Sequence, residues 1–177
     1  MPKSLAPRLD AMAARRDALL AGLASRSPEC LAFRAGGKGW NALDVVQHLA
    51  LVEESVVGYA RKKLLAPPQP VPWNGGLRLI ALVAVLRSPA RVAAPAAQVI
   101  PQETLPLDAL SERWRAAGAA LRDVVLALPA ERAKGLLFRH PIAGPLDPSG
   151  TLVFLDEHVR HHEAQLARIA RAPGCPA

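Results

Sequence analysis

Proline divides this chain into long stretches that lack it, and this spacing limits the folds that the chain can adopt. The sequence contains 17 prolines, and most of them fall into three clusters. The clusters are Pro67, Pro68, Pro70 and Pro72; Pro89, Pro95, Pro101 and Pro106; and Pro141, Pro145 and Pro148. Because proline removes a backbone hydrogen-bond donor and interrupts helices, these clusters predict connections between helices.

Apolar residues in the stretches between the clusters repeat at the spacing of one helix face. The chain is 51% apolar but only 4% aromatic, and its alanines and leucines favour helix over strand. We therefore predict four long helices and one short helix. The long ones are expected at about residues 5–24, 41–65, 107–128 and 149–171, with the short one at about 76–87. Residues 1–177 are expected to form a single domain.

This helix pattern indicates an all-α fold, a four-helix bundle with a long second-to-third crossover connection. Residues 66–106 form that connection, which is much longer than the turn needed between antiparallel neighbours. In a bundle, a long crossover lets two successive helices run parallel.

The start of the second long helix carries a recognisable capping pattern. Asn41 is a good N-cap residue, and Asp44 lies at the third helical position, where a carboxylate can accept free backbone N–H groups. Trp40 directly precedes the cap, in the position of a hydrophobic staple. We therefore expect a structural role for Trp40, with a substrate platform as the alternative.

The charge of the chain, +7, raises the question of a nucleic-acid partner. The basic residues are scattered, and the two adjacent runs, at Arg15–Arg16 and Arg61–Lys63, have no aromatic residues interleaved for base stacking. We therefore predict no nucleic-acid partner.

The longest apolar run, Leu79–Leu86, is far shorter than the ~20 residues of a membrane span, and the first residues lack a signal-peptide pattern. We expect a cytoplasmic protein without a membrane partner, and the sequence leaves open whether it forms a homodimer.

The two cysteines, Cys30 and Cys175, offer no motif for chemistry. They lie near opposite ends of the chain, outside any CxxC pattern, and predict no disulfide framework. Neither has a histidine beside it in sequence to depress its pKa, and no GxSxG motif exposes a serine. A side-chain nucleophile is therefore not expected.

Three histidines interrupt the apolar stripes of two predicted helices. His158 and His162 are four residues apart and share one helix face with core residues such as Leu155 and Val159. His48 lies in the same way between apolar residues of the second helix. Buried polar groups need partners, and three inward imidazoles can satisfy one another by binding one metal ion. Three protein ligands also leave a position open, as catalytic sites do.

Each histidine also has an ordinary structural interpretation. A lone His48 is often a core histidine bonded to a backbone carbonyl, and an HxxxH pair arises by chance. His161 points about 100° away from the pair and is expected at the rim. His140 lies in a Pro/Gly-rich loop, where we expect it to be solvated.

Two segments carry a family resemblance that covers nearly the whole chain. They are GWNALDVVQHLALVEES (39–55) and HPIAGPLDPSGTLVFLDEHVRHHEAQLARI (140–169), the second containing HxxHHxxQ. Together they resemble the DinB/YfiT-like superfamily of bacterial metal-binding bundles. The resemblance implies that the ligands are His48, His158 and His162, and that the helix order includes the long crossover. We expect that crossover to border the metal pocket as a lid or wall.

The resemblance implies several functions for such a site. A divalent metal (Zn, Ni or Fe) held by three histidines can activate a low-molecular-weight thiol or a water molecule to attack a small-molecule substrate. A thiol S-transferase is favoured by the resemblance, and a metal-dependent hydrolase or a non-catalytic metal- or small-ligand-binding bundle are the alternatives. No HExxH motif supplies a peptidase-style base, and neither Glu53 nor Glu163 shares a face with the histidines.

Overall fold

Helices built from the proline-free stretches make up most of the computed structural model, which describes residues 2–88, 96–103 and 105–176. The α-helices are α1 (Ala6–Ala24), α2 (Pro28–Ala32), α3 (Ala42–Leu64), α4 (Gly75–Arg87), α5 (Leu107–Leu126) and α6 (Pro148–Ala170). The predicted all-α fold is confirmed, and the five predicted helices begin and end within two residues of the expected positions. Residues 89–95 and 104 of the predicted crossover lie outside the described residues.

The bundle is built around α3, which packs along α5 and also against α6. Helix α1 packs on α5 and α6, and the crossover helix α4 packs on α6. Two apolar clusters fill the interior, one around Trp114 and Val45 and the other around Leu121 and Leu152, and all four side chains are buried. Helices α3 and α6, which carry the three histidines, are therefore supported from several sides.

A short α-helix and a short hairpin were not expected from the sequence. Helix α2 begins at Pro28 and is capped by Ser27, whose hydroxyl accepts the backbone N–H of Cys30. An antiparallel hairpin of β1 (Phe138–His140) and β2 (Gly144–Leu146) precedes α6. Each strand has only three residues, too few to show an apolar alternation in the sequence.

None of the helices that the structure describes combines the length and the hydropathy needed to cross a lipid bilayer.

The predicted cap of α3 is present in full. The backbone N–H of Asp44 donates to Asn41 Oδ1 (2.8 Å), and the backbone N–H of Asn41 donates to Asp44 Oδ2 (2.9 Å). This reciprocal pair fixes the residue at which α3 begins, and therefore the orientation of its first turns, which lead to His48.

Replacing Asn41 with alanine should lower the free energy of unfolding by about 1 kcal/mol, because the backbone N–H of Asp44 loses its acceptor. The measurement is a urea melt followed by circular dichroism. Asn74→Ala is the matched control, since Asn74 caps α4 without a side-chain hydrogen bond and should change stability by a few tenths of a kcal/mol at most. Equal losses in the two variants would contradict this account of the cap.

Candidate metal centre

The three predicted histidines meet between α3 and α6. His48 Nε2 lies 3.2 Å from His158 Nε2, which in turn lies 3.2 Å from His162 Nε2. His48 and His162 are buried, and His158, at the centre of the three, is partly exposed. The group contains three side chains that can each offer one nitrogen to a single ion.

The outer nitrogens of two of these rings are held by other residues. His48 Nδ1–H donates to the carbonyl oxygen of Val99, and His162 Nδ1–H donates to Gln165 Oε1, both at 2.7 Å. A neutral imidazole carries one proton, so a ring that donates from Nδ1 presents a lone pair at Nε2. Hydrogen bonds of this type orient the ligands of metal sites.

This donor set fits a divalent metal ion. With the Nε2 lone pairs of His48 and His162 directed inward, His158 Nε2 can donate a proton to only one of them, and the other is left unsatisfied. A cation satisfies all three nitrogens at once. Two nitrogens that bind one tetrahedral ion at 2.0–2.1 Å lie about 3.3 Å apart, close to the 3.2 Å from His158 Nε2 to each of the other two nitrogens. Neutral imidazoles are suitable ligands for Zn²⁺, Ni²⁺ or Fe²⁺.

Burial keeps the rings in the form that binds metal. Desolvation lowers the pKa of His48, although its bond to Val99 opposes this, and it lowers the pKa of His162 to about 3. Part of the His158 residue is exposed, but desolvation of its ring puts the pKa of His158 well below its ordinary value, and the neighbouring His162 and His48 lower it further. The imidazoles are therefore uncharged at neutral pH, with their lone pairs available.

Aromatic side chains form walls beside the histidines. The Trp40 ring lies 4.8 Å from the His48 ring and 6.3 Å from the His162 ring, on which it stacks at 24°. Phe154 lies 5.5 Å from His158 on the same helix. Trp40 therefore packs on the apolar cluster beside α3, as the staple position predicts, and also covers two candidate ligands.

Trp40→Phe should lower the free energy of unfolding by about 1–2 kcal/mol, since a smaller ring leaves part of its site unfilled. It should keep one metal ion per chain, because the ligand nitrogens and their hydrogen bonds do not involve the indole. Chemical denaturation and metal analysis of the same preparation measure both quantities. Unchanged stability together with loss of small-molecule binding would instead favour the substrate platform.

The crossover borders the histidines, as predicted. Its Val99 supplies the carbonyl that accepts from His48. Its helix α4 supplies the carbonyl of Leu86, which accepts from His161 Nδ1–H at 2.7 Å. His161 is therefore directed towards α4 and lies outside the group of three, in agreement with its predicted rotation.

The prediction that His140 is solvated is wrong. His140 lies in β1 and is only 7% exposed, with its ring 4.6 Å from that of Phe154. Its Nδ1 accepts the backbone N–H groups of Ile142 and Ala143, both at 3.1 Å, and burial lowers its pKa to about 4. The hairpin uses this ring to close its own turn.

Glu53 and Glu163, the two acidic residues considered as bases, point away from the histidines, as predicted. Glu53 is buried against Arg16 (3.1 Å), and Glu163 lies 3.4 Å from Arg15. Within the described ranges, no carboxylate or thiol belongs to the histidine group. Gln165 was not predicted as a site residue, although it is the last residue of the HxxHHxxQ pattern.

A family model described as the DinB superfamily matches residues 4–166 of the chain. Searches of curated proteins and of solved structures found no significant match.

Proposed function

Because the chain belongs to the DinB superfamily, we propose that it binds one divalent metal ion through His48, His158 and His162 and acts with it on a small molecule. The observation that carries this proposal is the convergence of three Nε2 atoms, with that of His158 3.2 Å from each of the other two, whose opposite ring nitrogens are already bonded. A buried histidine with a purely structural role needs one acceptor for its N–H and one donor for its other nitrogen, and a group of three such nitrogens facing one another does not supply those donors.

An ion held by these three histidines would supply Lewis-acid chemistry and would lower the pKa of a thiol or a water molecule bound to it. The chain contributes a rigid set of neutral ligands, because Val99 and Gln165 hold the His48 and His162 rings in place. Trp40, which is partly exposed, provides apolar surface beside the ligands that suits the organic part of a substrate, and the buried Phe154 reduces the access of water.

Thiol transfer is the reaction that we favour. No carboxylate lies in the histidine group within the described residues, so the usual base for activating water in a metallohydrolase is missing. A thiol has an ordinary pKa of about 8.5, far below that of water, so a smaller lowering of its pKa is enough to ionise it at neutral pH. The +7 charge of the chain also suits an anionic low-molecular-weight thiol. The alternatives remain a metal-dependent hydrolase and a non-catalytic bundle that binds a metal or small ligand.

The test has two stages. Elemental analysis of the purified protein, before and after treatment with a chelator, measures the metal bound per chain and identifies it. Small thiols are then screened against an aryl halide electrophile, and activated esters are screened in parallel for hydrolysis. Turnover of a thiol that disappears with the metal and returns with it supports thiol transfer. Metal-dependent ester cleavage alone would favour the hydrolase, and stoichiometric metal without any rate enhancement would favour a binding protein.

A variant that lacks both thiols, Cys30→Ser with Cys175→Ser, belongs in the same screen. It should keep its metal and its turnover, because neither cysteine lies in the histidine group. Activity that survives metal removal but is lost in this variant would contradict the proposed role of the metal.

A further inference from the structure

The two cysteines, remote in sequence, are neighbours in the fold. Cys30 Sγ lies 3.5 Å from Cys175 Sγ, a distance at which either thiol can donate a hydrogen bond to the other. Cys30 is only 4% exposed, whereas Cys175 is partly exposed, and both are free thiols. The separation of the two cysteines in the sequence does not indicate this contact.

A defined turn brings Cys175 back to α2. After α6 ends, the backbone N–H of Cys175 donates to the carbonyl of Ala172 at 3.1 Å, with Pro173 and Gly174 as the central residues. Gly174 has φ +83°, the left-handed conformation that glycine adopts readily and that the third position of a type II turn requires. Proline suits the position before it. The local sequence thus favours the backbone conformation that places the second sulfur beside the first.

The anchoring of Cys30 is equally well defined. Its backbone N–H donates to the hydroxyl of Ser27 at 3.2 Å, which holds it in the first turn of α2. A cavity of about 360 Å³ adjoins it, and Leu19, Leu23 and Arg26 are among the lining residues. Cys30 therefore sits in a fixed position, with its side chain almost wholly shielded from solvent.

The pair has too few partners to be a metal site. Thiolate metal sites need three or four ligands, and no third histidine, cysteine or carboxylate joins Cys30 and Cys175 in a ligand group within the described ranges. Two thiols in contact, one accessible and one shielded, are instead the arrangement found where an attacking and a resolving cysteine cooperate.

We infer that Cys30 and Cys175 form a reversible dithiol–disulfide site that reacts with low-molecular-weight disulfides. The inference uses residues away from the histidine group and goes beyond the proposed function. A bond between the two sulfurs needs them to approach from 3.5 Å to about 2.05 Å.

The reaction proceeds by two exchanges. The thiolate of Cys175 attacks a small disulfide, RSSR, forming a mixed disulfide on Cys175 and releasing one RS⁻. The thiolate of Cys30 then attacks Cys175 Sγ, forming the Cys30–Cys175 bond and releasing the second RS⁻. Each cysteine loses its proton and each released thiolate gains one, so two protein thiols are oxidised while RSSR is reduced to two RSH. Excess small thiol reverses both exchanges.

The experiment treats the full-length, metal-loaded protein with oxidised glutathione, blocks remaining thiols with iodoacetamide, and measures the intact mass. The wild-type chain should lose two hydrogens and take up no alkyl group, and peptide mapping should join Cys30 to Cys175. The oxidised form should melt at a temperature roughly 10 °C higher than the reduced form, since the crosslink closes a long loop. Two alkylatable thiols, a lasting glutathione adduct or a disulfide-linked dimer would each overturn the inference.

Single variants test the order of the two exchanges. Cys30→Ser should stop at a glutathione adduct on Cys175, because the resolving thiol is missing. Cys175→Ser should remain unmodified, since its one thiol is shielded from solvent, and its melting temperature should not respond to oxidised glutathione. If either variant fails to fold, peptide mapping of the oxidised wild type still shows whether the Cys30–Cys175 disulfide forms. Rapid modification of Cys30 in Cys175→Ser would contradict the assigned roles.

Discussion

Replacing His158 with alanine should abolish stoichiometric metal binding. Its Nε2 is the central one of the three, 3.2 Å from the Nε2 atoms of both His48 and His162. Without it, the two remaining ligands no longer hold the ion on three sides. We expect the metal content of the purified variant to fall from one ion per chain to a small fraction, and any metal-dependent turnover to fall with it. Elemental analysis of gel-filtered protein measures the first and the thiol screen the second.

His161→Ala is the matched control for this experiment. His161 is on the same helix and its ring is bonded to the carbonyl of Leu86, outside the histidine group, so this variant should keep one ion per chain. Gln165→Leu should give an intermediate result, a roughly 10–100-fold weaker metal affinity, because His162 loses the acceptor that orients it. A metal content of one per chain in His48→Ala, His158→Ala and His162→Ala alike would show that the assignment of the site is wrong.

Much of the fold follows from local rules in the sequence. Proline clusters separated the helices, apolar periodicity located them, and Asn41 with Asp44 marked where α3 begins. These signals act over one or two helical turns, so a single sequence contains them in full. The β1–β2 hairpin and helix α2 were missed because each is too short for a periodic pattern to emerge.

The site was predictable only in part, because only those of its features that depend on local patterns can be recognised in a single sequence. The spacing of His158 and His162 places both on one helix face, and the apolar neighbours of His48 indicate that it points inward. In contrast, the carbonyl of Val99 comes from the crossover, and a backbone group in an irregular segment has no signature in a sequence. The contact of Cys30 with Cys175 depends on how the chain returns after α6, which no local pattern encodes.

The buried pair of Arg16 and Glu53 should have the largest effect on stability. Arg16 Nη1 donates to Glu53 Oε2 (3.1 Å) and to the carbonyl of Trp114 (3.0 Å), and both side chains of the pair are under 10% exposed. Gly118 makes room for the guanidinium, since a Cβ atom there would lie 1.7 Å from Arg16 Nη1. Arg16→Met keeps much of the packing but removes the charge that faces Glu53. We expect it to lower the free energy of unfolding by about 3 kcal/mol at mildly alkaline pH.

Arg15→Met is the control for this variant. Arg15 is the neighbouring arginine on α1 and pairs with Asp156 at 3.1 Å, but both of these side chains are partly exposed. Solvent screens such a pair, so its loss should cost less than about 1 kcal/mol at any pH. Losses of similar size in the two variants would show that burial of the Arg16–Glu53 pair has no special importance.

The loss of stability in Arg16→Met should be larger at high pH than at low pH, because it depends on the charge of the Glu53 carboxyl. Burial raises the pKa of Glu53 from 4.5 to about 7, although Arg16 opposes the increase. Between these values the unfolded chain has released the proton and the folded chain has kept it, so the free energy of unfolding falls as pH rises, and it levels off above the folded pKa. Removing Arg16 raises the pKa of Glu53 further, so the free energy of unfolding continues to fall above pH 7.

Urea melts at about pH 5 and about pH 8 should therefore show a small difference in the free energy of unfolding between wild type and Arg16→Met at the lower pH and a large one at the higher pH. A difference that is largest under acidic conditions would mean that Arg16 stabilises the bundle through its bond to Trp114 and its packing, with no part played by the charge of Glu53.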